Sequence, residues 1–134
     1  MARQAPTRVR EIFAKLLADA KDVDATLRAY VVEGDDFEFP EERSLAYTYF
    51  ESNDRPMKVV VAAKIIDVPD DRIDALLRHE LGHALLLQAG AIDHSEREAD
   101  QVAETLWGDP IFYDERDIQS LCCGTRPRPE YLHQ

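Results

Sequence analysis

The chain has 134 residues, enough to close one hydrophobic core without disulfides, so a single domain over residues 1–134 is expected. Its 16 Lys and Arg against 27 Asp and Glu give a net charge of −11, which repels phosphate backbones and anionic lipid and argues against nucleic acid as a main partner. No apolar run approaches the roughly 20 residues of a membrane span, Met1 to Ala20 lack a secretory apolar stretch, and the adjacent Cys122 and Cys123 suit a reducing compartment, so a cytoplasmic protein with no membrane partner is expected.

After Pro6 and Thr7, the residues Val9, Ile12, Phe13, Leu16, Leu17 and Ala20 recur at helical spacing with charges on the other face, which predicts an N-terminal amphipathic helix. Asp22 to Pro40 is acidic; within it Leu27 to Val32 reads either as a short strand or as the end of another helix, bounded by Gly34-Asp35-Asp36. The acidic run from Glu33 to Glu42 is most simply solvated surface. Leu45 to Phe50 suits a strand, Ser52 to Pro56 a turn, and the β-branched, apolar Lys58 to Ile66 a second strand, together a hairpin.

Val68-Pro69-Asp70-Asp71 supplies a start for a helix whose body runs from Ile73 to Ala89 and stops at Gly90. Apolar residues surround nearly its whole circumference, as in a helix at the centre of a domain, so polar residues inside it need a reason. Ser95 with Glu98 forms a capping-box signature for a further helix through Trp107. Beyond Gly108-Asp109-Pro110 one helical turn around Ile118 to Cys122 is expected. The Arg126-Pro127-Arg128-Pro129 tail cannot continue a helix, so residues 126–134 should lie along the surface or hang free.

The chemistry is concentrated in His79-Glu80-Leu81-Gly82-His83, an HExxH motif inside a predicted helix. Positions i and i+4 share a helix face, so both imidazoles can reach one ion, while Glu80 is turned by about 100° and stands beside the metal rather than on it. Zinc would lower the pKa of water and polarise a peptide carbonyl, with Glu80 as general base. Chance occurrence is disfavoured because three of the four histidines fall between positions 79 and 94, and because unpartnered polar groups are costly in so apolar a helix. Gly82 points to a close approach of backbone or helix.

Zinc needs a third protein ligand and leaves a fourth position for water. His94, Glu96, Glu98 and Asp100 are candidates. The capping box gives Glu98 a structural task, and Glu96 is favoured over His94 because a helix-borne ligand is held more precisely than one in a connection. For the oxyanion donor Tyr113 is the candidate, followed by Tyr47, Tyr49 and Arg116, although each tyrosine has an ordinary packing role open to it. Cys122, Cys123 or His133 could reach the metal and hold it inactive, but a packed cysteine pair needs no function.

His79-Glu80-Leu81-Gly82-His83-Ala84 followed by Glu96-Arg97-Glu98-Ala99-Asp100 and Ala103 resembles the gluzincin metallopeptidases, whose second helix carries an ExxAD or ExxAN element. The ImmA/IrrE type is similar and soluble, whereas the HtpX and CAAX-protease type is membrane-bound. The Spartan and SprT type would promote His94 and imply a DNA-linked role, against the acidic charge. The resemblance implies Zn2+ held by His79, His83 and Glu96, with Asp100 orienting a histidine.

The expectation is therefore an α+β, minimal zincin-like metallopeptidase fold: an N-terminal helix, a small antiparallel sheet, an active-site helix and a helix carrying the third ligand. Its substrate would be a protein or peptide, bound as an added strand on the hairpin edge. The alternative is a non-catalytic, zinc-stabilised regulatory or antirepressor-like module, marked by a closed site with both His94 and Glu96 on the metal.

Overall fold

The computed structural model describes residues 3–35, 39, 45–51 and 54–108. Tyr113, Arg116, the turn around Ile118, Cys122, Cys123, His133 and the 126–134 tail lie outside them. In chain order the elements are β1 (Arg3–Gln4), α1 (Thr7–Val23), β2 (Ala29–Glu33), β3 (Ala46–Tyr49), β4 (Met57–Val61), a 3-10 helix (Ala63–Asp67), α2 (Asp70–Gln88) and α3 (Glu96–Trp107). The class is α+β, three helices with a small four-stranded sheet.

The sheet differs from the expectation in one respect. Its order is β1-β2-β4-β3, with β3 antiparallel to β4 as a hairpin, but β2 runs parallel to β4, so the sheet is mixed rather than antiparallel. The chain leaves β2, passes the neighbouring position to form β3, and returns so that β4 fills the gap between them. Val59, Val60 and Val61 are buried along this inner strand, the continuous β-branched run of a strand covered on both faces. The expected strand to Ile66 ends early. Val61 closes β4, and Ala63–Asp67 turns into the 3-10 helix, burying Ile65 while Ile66 faces solvent.

α1 buries Val9, Phe13, Leu16 and Ala20, the stripe foreseen from their spacing, and packs on α2 and β2. Arg8 joins α1 to the start of α2: its guanidinium pairs with Asp70 and donates to the Val68 carbonyl at 2.8 Å. Asp70 and Asp71 occupy the first turn of α2, where the unsatisfied N–H groups favour negative charge. At the other end Trp107 donates its indole N–H to Asp19 at 2.9 Å and lies under the Arg78 guanidinium, 5.7 Å from its ring centre. These contacts hold α3 against both α1 and α2.

α2 is the core helix. Ile73, Leu76, Leu77 and Leu81 have no exposed surface, each contributing about 1.5–3 kcal/mol by burial. No helix among the described residues is long and apolar enough to cross a membrane.

Candidate metal centre

Two local rules bring the chemistry together. The first is the four-residue spacing of His79 and His83 on α2, which sets both rings on one face, 4.8 Å apart between centroids and edge to face. The second is the start of α3. Ser95 accepts from the Glu98 backbone N–H and Glu98 accepts from the Ser95 N–H, each at 3.0 Å, so the foreseen capping box fixes the first residue of the helix, Glu96. Ser95→Ala should cost about 1 kcal/mol of stability in urea unfolding, the usual effect of deleting such a cap.

Gly82 allows the two helices to meet. A methyl group there would stand well inside contact distance of the Ala99 carbonyl oxygen and 3.0 Å from its carbon. The two readings open for Gly82 are therefore one: α3 crosses α2 against bare backbone. One turn before Ala99, Glu96 then reaches the histidines.

The resulting geometry is compact. Glu96 Oε1 lies 2.9 Å from His79 Nε2 and 2.8 Å from His83 Nε2, so three donor atoms converge. His79, Glu80 and His83 have no exposed surface, while the Glu96 side chain is 23% exposed, which leaves the cluster one side toward solvent. His79, Glu80 and His83 form a buried group that could hold a metal ion, their ligand atoms all within 4.8 Å of one another.

The opposite nitrogens face further polar groups. His79 Nδ1 lies 3.8 Å from Asp100 Oδ1, and His83 Nδ1 lies 2.6 Å from His94 Nε2. Burial by itself lowers the His79 pKa, but the carboxylates of Asp100, Glu96 and Glu80 outweigh it and raise the value from 6.5 to about 9. The cluster is thus short of positive charge. Two imidazole lone pairs and a carboxylate oxygen at under 3 Å repel one another unless a proton or a metal cation stands among them, and the nitrogen and oxygen donors suit zinc.

Glu80 takes a different position. Thr48 on β3 donates its hydroxyl toward Glu80 Oε1 at 2.7 Å, with the Glu80 carbonyl 3.1 Å away, and so ties the carboxylate to the sheet. Nothing in the sequence singled out Thr48, a strand residue among several.

The sequence-derived residues divide clearly. His79, His83, Glu80 and Glu96 are brought together; Asp100 faces His79; Glu98 is the capping partner; His94 lies behind His83 rather than among the converging atoms. Tyr47 is buried in the core near Phe39, and Tyr49 lies beside Lys58. No protein-family model matches the chain, and no curated protein or solved structure matches it either.

Proposed function

We propose that the protein is a zinc-dependent metallopeptidase, with His79, His83 and Glu96 as ligands and Glu80 as general base. The observation that carries this reading is the convergence of Glu96 Oε1 on both Nε2 atoms while Glu80, the carboxylate of the motif itself, accepts a hydrogen bond from Thr48.

When bound, zinc supplies Lewis-acid polarisation of a peptide carbonyl and acidifies water toward neutral pH. The protein's own groups do the rest. Glu80, turned one step round α2 from the ligands, accepts the proton of the attacking water and passes it to the leaving amine. The hydroxyl of Thr48 donates to one carboxylate oxygen of Glu80 and holds the group in place. The resemblance to gluzincins of the ImmA/IrrE type supports the same assignment and suggests cleavage within a protein chain. Tyr113 remains the proposed oxyanion donor.

β3 packs against α2, which brings Thr48 to Glu80. The non-catalytic alternative requires His94 as a fourth ligand. Its ring meets His83 at the nitrogen remote from Glu96, which favours the enzyme.

Metal analysis of the purified protein tests the reading. About one zinc per chain is expected, with hydrolysis of a mixed peptide library lost on chelation and restored by zinc. Failure to bind zinc after reconstitution would sink it; binding without hydrolysis would leave the regulatory module.

A further inference from the structure

His94 ends a hydrogen-bonded chain whose polarity can be read from its far end. Its Nδ1 is 2.6 Å from the carbonyl oxygen of Ala91, and its Nε2 is 2.6 Å from Nδ1 of His83. A carbonyl oxygen only accepts, so His94 Nδ1 carries a hydrogen and donates it. In a neutral imidazole the other nitrogen is then an acceptor. With a cation between His83 Nε2 and Glu96 Oε1, that nitrogen keeps its lone pair and the proton between the two rings belongs to His83 Nδ1; without one, the Glu96 carboxylate also accepts and favours a hydrogen on His83 Nε2.

The segment that fixes the far end is itself constrained. Past α2 the Gly90 N–H bonds to Leu87 O at 3.0 Å and the Ala91 N–H to Leu86 O at 2.9 Å, a paired closure of the helix that sets the Ala91 peptide. His94 is 1% exposed and its ring lies 4.9 Å from that of His83, tilted by 39°, so neither ring can turn freely.

We infer that His94 is a positioning residue for the metal centre: it holds His83 in the Nδ1–H tautomer and presents Nε2 as a ligand, with the Ala91 carbonyl setting the direction of the chain. The inference rests on the proposed metal site. In the reverse polarity, with a proton donated from His94 to His83, Nε2 would carry a hydrogen and could not ligate. His94 thus decides which nitrogen faces the ion without touching it, and the ordinary effect of such a partner on metal affinity is about 10–100-fold.

Three measurements test this. In the intact, zinc-loaded protein, nitrogen-15 NMR of the histidine rings should show His83 and His94 both as Nδ1–H. His94 found as Nε2–H, or zinc found on His83 Nδ1, overturns the inference. Chelator competition should show zinc bound about 10–100-fold more weakly by His94→Phe, which keeps the ring's bulk and loses both nitrogens. His94→Gln, whose amide oxygen can accept from His83 Nδ1, should recover most of the loss. Equal zinc affinity in His94→Phe and the unaltered protein also overturns the inference while leaving the metal site standing. If the unaltered protein binds no zinc, the metal reading fails and this inference, which rests on it, fails with it. Where His94→Phe does not fold, the spectrum and His94→Gln still decide.

Discussion

Glu80→Gln is expected to leave zinc content unchanged and to lower peptide hydrolysis by about 10²–10⁴, the usual contribution of a general base. The two consequences separate because Glu80 is near the converging atoms without being one of those that Glu96 meets. Glutamine keeps the volume of the side chain and an oxygen to accept the Thr48 hydroxyl, so the buried hydrogen bond survives. What it loses is basicity. His83→Ala should do the reverse, removing the metal and all metal-dependent activity together, since one of two imidazole ligands is gone. Zinc content measured on both variants, beside turnover of the same peptide library, separates the roles. A Glu80→Gln protein that has lost its zinc would make Glu80 a ligand, and one that cleaves at the unaltered rate would place the base elsewhere.

The parts of this structure legible in the sequence are those set by neighbours in the chain. The stripe on α1, the apolar girth of α2 and the capping box of α3 each follow from spacings within two helical turns, and the hairpin of β3 and β4 from a turn signal between a Tyr- and Thr-rich run and a β-branched one. Three of the site's groups were legible for the same reason, because His79, Glu80 and His83 share one helix.

What was illegible is non-local. β2 pairs in parallel with β4 across an intervening strand, and no short pattern in Ala29–Glu33 states which partner it will take or in which direction. The two residues of β1 are too few to carry any period. The switch from strand to 3-10 helix after Val61 is hidden inside one apolar run, whose residues suit either state. Thr48 reaches Glu80 only because β3 packs on α2, and His94 could be weighed as a ligand because sequence cannot say which side of a histidine another side chain will approach.

Gly82 is where local and non-local constraints coincide, and its replacement by alanine should be costly in a way that helix propensity does not foresee. On propensity alone Gly82→Ala gains about 1 kcal/mol, as for any interior helical glycine. Here the added methyl meets the Ala99 backbone, which cannot swing aside as a side chain would, so α3 must withdraw by about 1 Å to restore ordinary contact. Overpacking of this kind costs about 1–3 kcal/mol, and a net loss of stability in urea unfolding is expected. The withdrawal also draws Glu96 away from His79 and His83, so zinc affinity should fall about tenfold or more. Gly108→Ala provides the control. Gly108 has φ +86 with open space around it, so alanine there is strained by about 1–2 kcal/mol at the far end of α3 without moving its start. Both variants should therefore be less stable, but only Gly82→Ala should bind zinc more weakly. Equal zinc affinity in the two would mean that the spacing of α2 and α3 does not set the metal centre, and that Glu96 reaches it by the reach of its side chain rather than by the contact at Ala99.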